Sequence, residues 1–188
     1  WKSTPSCPTQ RGIMADYKTV IHHTLSTFPN SKIVLWVGQP PHVCSPSSTS
    51  LEAGYAKIQG LVLENPFASI PRMVRTLYGQ RWLPYHYLAP LAWDKWDAAQ
   101  ALSSCAGDSA LARLAPNMLV LLSEHDEVVP NEMGEELCAI GNSRGDGTMG
   151  GRVIPAALHD NAHVQWVWRS EMQRYIADVE RLSKSDVA

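Results

Sequence analysis

Between Pro116 and Pro130 the chain sets five apolar residues together, Met118 to Leu122, and follows them at once with four polar or charged ones, Ser123 to Asp126. A strand with one face to water alternates apolar and polar side chains. A short continuous run fenced by prolines fits a strand covered on both faces, as in a parallel sheet. Parallel strands need crossover connections, ordinarily helices, so this segment predicts an α/β architecture. In open sheets of that kind, ligands and reacting groups collect just beyond the carboxyl ends of the strands. Ser123 to Glu127 lie at that end, which makes Asp126 the first candidate for a chemical role. Asp126 also suits a plainer one, capping a helix that begins near Asn131.

The neighbouring segments keep the same alternation. Arg11 to Phe28 spaces Ile13, Met14, Tyr17, Val20, Ile21, Leu25 and Phe28 by threes and fours, predicting an amphipathic helix with Thr9 as N-cap and Pro29-Asn30 as its stop. Ile33 to Val37 is a short β-branched-rich strand ending at Gly38, and Ile58 to Leu63 is another, ending at Glu64-Asn65-Pro66-Phe67. Asn131 to Ile140 reads as a helix, Arg152 to Leu158 as a last strand, and Gln165 to Leu182 as a final amphipathic helix. The helix's apolar positions are Val167, Met172, Tyr175, Ile176, Val179 and Leu182. Residues 68–97 gather Tyr78, Tyr85, Tyr87, Trp82, Trp93 and Trp96 among Pro71, Pro84 and Pro90, predicting short helical pieces. Those aromatics are expected either as core packing or as a lid-like wall of an apolar ligand site. Asp97 to Leu114 is Ala-rich and expected to include helix. Gly38 to Ser50 breaks the pattern: three prolines and five serines or threonines, without a usable period, read as a loop.

With 188 residues, 45% hydrophobic and 18% charged, residues 1–188 fit one globular domain with a sizeable core. A net charge of −2 provides no basic field for nucleic acid or an anionic membrane surface. No run approaches the roughly 18 apolar residues of a spanning helix, and no signal peptide opens the chain. Cys7, Cys44, Cys105 and Cys138 lack C-x-x-C or Cys/His ligand spacing. They read as free thiols of a reducing, cytoplasmic compartment. The opening segment Trp1 to Gln10 is loop-like and lacks Met at position 1, which reads as a chain starting inside a longer fold.

Two strands therefore end in titratable groups, Asp126 and His159, with one helix between them. Hydrolysis through a nucleophile needs an imidazole base and a carboxylate that fixes its tautomer. Acid before histidine, each on a loop after a strand, is the order of the α/β-hydrolase arrangement.

Three segments carry a closer resemblance. I-Q-G-L-V-L-E-N-P-F-A-S-I (Ile58 to Ile70), S-E-H-D-E-V-V-P (Ser123 to Pro130) and L-H-D-N-A-H-V-Q (Leu158 to Gln165) resemble the bud-emergence (Bem-like) α/β-hydrolases, relatives of acylglycerol lipases and protein depalmitoylases. P-T-Q-R-G-I-M-A-D (Pro8 to Asp16) resembles the loop and helix ahead of that family's nucleophile strand. The resemblance spans most of the chain except Gly38 to about Gly54. It implies a partial α/β-hydrolase fold, a mostly parallel sheet flanked by helices and lacking the earlier strands. Asp126 matches the triad acid and His159 the triad base, preferred to His163 because it follows the strand directly. The family's H-N-D-like turn reads His159-Asp160-Asn161 here. The implied substrate is a small apolar acyl ester, thioester or lipid, with no nucleic acid, metal or cofactor. Any membrane association would come through an N-terminal anchor not in this chain.

Where the family has a nucleophile elbow of the form G-Q-S-L-G-G, this chain has Gly38-Gln39-Pro40-Pro41-His42. Proline carries no hydroxyl, and the helix that an elbow feeds is replaced through Gly54. Cys44, Ser45, Ser47 and Ser48 follow in a stretch with nothing to orient a base or backbone donors beside them. The earlier strands would also supply an oxyanion donor, so the chain as written is expected to be catalytically dead. Codon degeneracy permits Val43 to Gly54, read two nucleotides over, to spell an apolar helix like the family's, so a frameshift or splicing difference would account for the foreign loop. Two other readings share the strand plan: a binding or scaffold module without turnover, and a different enzyme on the same fold, a serine peptidase or dehalogenase.

Overall fold

The computed structural model describes residues 9–38, 55–80, 82, 84–91, 94–145 and 151–185. Helix α1 (Gln10–Thr27) starts where expected, with the Thr9 hydroxyl accepting from Gly12 N at 3.1 Å. Strand β1 (Ile33–Val37) and strand β2 (Ile58–Glu64) follow. The segment after Phe67 forms α2 (Ile70–Leu77), α3 (Pro84–Leu88) and a 3₁₀ turn, Ala89–Leu91. Pro71 and Pro84 stand in the first turns of their helices, where a missing N–H costs nothing, so they start these helices. Then come α4 (Ala98–Ser104), α5 (Ala110–Leu114), β3 (Leu119–Ser123), α6 (Asn131–Asn142), β4 (Gly151–Ile154) and α7 (Trp166–Ser185).

The four strands form one parallel sheet in the order β1-β2-β3-β4. Every residue of β3 is buried, the burial that its unbroken apolar run predicts. On one face, Ile21 of α1, Leu102 of α4, Leu111 of α5 and Leu137 of α6 pack on Leu61, Leu63, Val120 and Leu122. On the other, Tyr175 and Val179 of α7 pack on Val62, Leu119, Leu121 and Ile154. Each face thus has its helices, the layering that a sheet apolar on both sides requires. Gly141 lets α6 close on the approach to β3: a Cβ there would lie 2.7 Å from the Ala115 carbonyl oxygen. Arg144, just past α6, donates to the carbonyls of Leu102, Ser103 and Cys105 at 2.7–2.8 Å, satisfying the open C-terminal end of α4.

Two expectations need correction. The last strand stops at Ile154 and does not run to Leu158: Pro155 has no N–H for a ladder, and Ala156 turns to a φ of 54°. His159 is therefore reached by a loop and does not follow the strand directly. Core packing also fails for several aromatics of residues 68–97, since Tyr78, Trp82 and Tyr87 are exposed, Trp82 at 80%. The segments 1–8 and 39–54, with Pro40, Pro41, Cys44, Ser45, Ser47, Ser48 and most of the atypical loop, lie outside the described residues, as does Trp93.

Strand β1 lies at one edge of the sheet, and its five residues are all apolar, with Trp36 51% exposed. Apolar edge strands offer unpaired backbone to other chains. The purified chain is expected to associate with rising concentration on size exclusion. A stable monomer that unfolds cooperatively would contradict this.

Candidate active site

The parallel sheet brings the ends of β1, β2 and β3 to one side, and the two sequence candidates meet there. His159 Nδ1 lies 2.9 Å from Asp126 Oδ2 and 3.1 Å from Oδ1. The Asp126 side chain is 1% exposed and that of His159 34%, so the acid is sealed and the ring reaches solvent. Both atoms facing Nδ1 are carboxylate oxygens, which only accept, so Nδ1 carries the proton. In the neutral ring that leaves Nε2 with a free lone pair, the form a general base needs. Nε2 has no hydrogen-bond partner among the described residues.

Asp126 is held by its own loop. Its Oδ1 accepts from Val128 N at 2.8 Å and Val129 N at 2.7 Å, a turn closed by an aspartate side chain. The plainer reading, a cap on the following helix, is not what forms: α6 has Pro130 at its N-cap, with no side-chain bond. The structural task of the carboxylate is to close the loop that aims it at His159.

The loops carrying acid and base are fastened to each other. Glu124 N donates to Ile154 O and His125 N to Ala157 O, at 3.1 and 2.9 Å. In return, Ala156 N donates to Glu124 Oε2 at 2.8 Å and His159 N to Glu127 Oε2 at 3.3 Å. The glutamates flanking Asp126 thus bind backbone of the histidine loop. Asn65, at the end of β2, adds a third tie. Its Nδ2 donates to Ser123 Oγ and to the His159 carbonyl, and its Oδ1 accepts from Ser123 N. The sequence alone shows no role for Asn65, Glu124 or Glu127. For Asn65 and Glu124 the signal it carries is a polar residue directly after a buried strand.

A cavity of about 280 Å³ opens beside the pair, lined by Trp36, Gly38, Glu64, Asn65, His159, Asp160 and His163. Its walls join the end of β1, at Gly38, to the histidine loop. Trp36 Nε1 donates to Glu64 Oε2 at 2.8 Å, and the Trp36 ring meets Trp168 edge-on at 5.2 Å between centroids, so one wall is aromatic with a fixed carboxylate. His163, the competing histidine, lies on a 3₁₀ turn (Ala162–Val164), lines the same cavity, and has no carboxylate partner among the described residues. None of the described aromatics of residues 68–97 lines this cavity. Among the described residues there is no cluster of three or more His, Cys, Asp or Glu that could hold a metal ion. Among the described residues no helix is long and apolar enough to cross a membrane.

No family model matches the sequence, and no curated protein matches it. Solved structures do. The chain is similar to Est1E from Butyrivibrio proteoclasticus with a TM-score of 0.56 and 15% identity, over 90% of this chain and 72% of that one. It is similar to a carboxylesterase structure from the ammonia-oxidizing thaumarchaeon Nitrososphaera gargenis with a TM-score of 0.53 and 10% identity, over 96% of this chain and 76% of that one. At such identities the likeness establishes architecture: the chain has a partial α/β-hydrolase fold.

Proposed function

We propose that this chain carries the acid and base of a serine-hydrolase site for ester or thioester bonds of apolar acyl substrates, and that as written it does not turn them over. One observation carries the reading: His159 is held through Nδ1 by a sealed Asp126, while the ring borders a cavity that reaches Gly38 at the end of β1. In a complete site, a serine just past that glycine would attack the acyl carbon as His159 Nε2 takes its proton. The imidazolium, paired with Asp126, would then return the proton to the leaving alcohol or thiol, and water would release the acyl group by the same two steps. Here position 40 is proline, so the attacking oxygen is missing while its base remains. The likeness to a carboxylesterase structure supports the ester class. The narrower assignment to the bud-emergence family rests on E-N-P-F and D-E-V-V-P. The exposed Trp82 and Tyr87 support a lid-like role for residues 68–97 as a surface that receives an apolar chain.

The purified chain is expected to show no hydrolysis of p-nitrophenyl esters or acyl thioesters above buffer, and no labelling by a fluorophosphonate probe. A labelled serine would overturn the inactivity. The cavity that remains without a nucleophile favours a second reading, a binding module, and under it fatty acids raise the melting temperature without any turnover. Sequencing the transcript across the codons for Trp36 to Gly60 separates the two. A restored G-x-S-x-G identifies a serine hydrolase; confirmed Pro40 and Pro41 leave binding as the function to pursue.

A further inference from the structure

We infer that Asn65 is a positioning residue for the His159–Asp126 pair, holding the histidine loop in the register that lets the imidazole meet the carboxylate; this rests on the reading of that pair as base and acid. Asn65 is 4% exposed and takes a φ of 44°, a backbone conformation that side chains rarely adopt and asparagine tolerates best after glycine. A buried polar side chain at a strained backbone position is costly unless its bonds are made. Here they are made, and they converge on the site. The Asn65 backbone N–H extends the ladder from β2 to β3, donating to Leu121 O at 2.9 Å. The side-chain Oδ1 accepts from Ser123 N at 2.8 Å, and Nδ2 donates to Ser123 Oγ at 2.9 Å, fixing the amide to the end of β3. The second Nδ2 hydrogen goes to the His159 carbonyl at 2.8 Å.

One amide thus ties three segments: the end of β2, the strand end three residues before Asp126, and the base's own backbone. The bond to His159 O reaches across 94 positions of sequence, and the pair it supports meets across 33. The other ties between the loops hold the acid loop to the histidine loop; Asn65 alone of the three polar ties refers both to the sheet. The amide hydrogens of Asn65 go to Ser123 Oγ and the His159 carbonyl. The residue acts through the backbone that carries the base.

The chemistry of the amide gives the test. Asn65→Asp keeps the size and tolerates the same φ, but replaces the donor with a carboxylate oxygen that would face the His159 carbonyl. Ser123→Ala removes only the hydroxyl and leaves both the tie to His159 O and the bond from Ser123 N. Asn65→Gly keeps the backbone conformation without any amide and serves should the aspartate variant fail to fold. The readout is the imidazole of His159 in ¹⁵N-edited NMR of the full chain: the downfield Nδ1 proton shared with Asp126, and the tautomer. The wild type and Ser123→Ala are expected to show the Nδ1 proton, and Asn65→Asp and Asn65→Gly to lose it, with α/β secondary structure retained by circular dichroism. A folded Asn65→Asp or Asn65→Gly chain that keeps the proton overturns the inference while leaving the pair intact. Loss in Ser123→Ala to the same degree also overturns it, because general loosening of the strand ends would then suffice. Absence of the proton in the wild type overturns the underlying acid–base reading, and the inference with it.

Discussion

Replacing Asp126 with alanine is expected to cost about 2–4 kcal/mol of stability, whereas replacing it with asparagine is expected to cost roughly 1 kcal/mol yet switch the tautomer of His159. The carboxylate has two tasks, and the substitutions separate them. Alanine removes the acceptor for Val128 N, Val129 N and His159 Nδ1 at once, and Val129 is only 4% exposed, so its N–H loses a partner that water cannot readily replace. Asparagine keeps an oxygen for the two amides and so keeps the loop. It then turns an NH₂ towards Nδ1, where two donors would face each other unless the ring moves its proton to Nε2. Nδ1 then accepts, and Nε2 can no longer act as a base. Urea unfolding measures the first task and ¹⁵N-edited NMR of the imidazole the second. If asparagine left the Nδ1–H tautomer in place, Asp126 would serve only to close its loop.

That double role explains why the site was only partly legible in the sequence. The order of acid and histidine, each after a buried strand, can be read from apolar runs and their ends, and Asp126 and His159 do meet. What could not be read is how they are held. Asn65 is 58 positions from Ser123 and 94 from His159, so no local period or motif connects them. Glu124 and Glu127 look like ordinary solvated charges until the histidine loop is folded against them. The strands and long helices were legible for a physical reason: β3 is apolar because both of its faces are covered, and α1 and α7 show helical spacing because one side of each packs on the sheet. The end of β4 is not legible from apolar residues alone: Val153, Ile154, Ala157 and Leu158 suggest continuity, although Pro155 cannot donate to a ladder. Residue type misled at Trp82 and Tyr87 as well. Large rings suggest a core, but whether one is covered depends on neighbours distant in sequence, and here they stand open.

The second large effect concerns Tyr175, an apolar position by helical spacing whose hydroxyl the spacing does not explain. Tyr175 is 2% exposed, and its OH accepts from Leu61 N at 2.8 Å and donates to Leu61 O at 3.2 Å. The N–H and C=O of Leu61 thus both meet a side chain of α7, and Gly60 leaves room for the ring: a Cβ there would lie 3.0 Å from both the ring edge and the hydroxyl. Tyr175→Phe would leave the buried Leu61 N–H without this acceptor and take the phenol donor from Leu61 O, at an expected cost of about 1–3 kcal/mol. The same geometry makes part of the stability depend on alkali. Burial pushes the phenol up from 10.0 to about 12, outweighing the opposing bond with the Leu61 backbone. The folded value lies above the unfolded one, so this contribution is complete below about pH 10 and is lost as pH rises towards 12, up to about 3 kcal/mol in all. Phenylalanine has no proton to lose. The difference in unfolding free energy between wild type and Tyr175→Phe, from urea titrations at successive pH values, should be constant to about pH 10 and then shrink. Other tyrosines ionise in both chains and cancel in that difference. A gap that stays level up to pH 11.5 would mean that the hydroxyl is hydrated in the folded chain and not buried between α7 and β2.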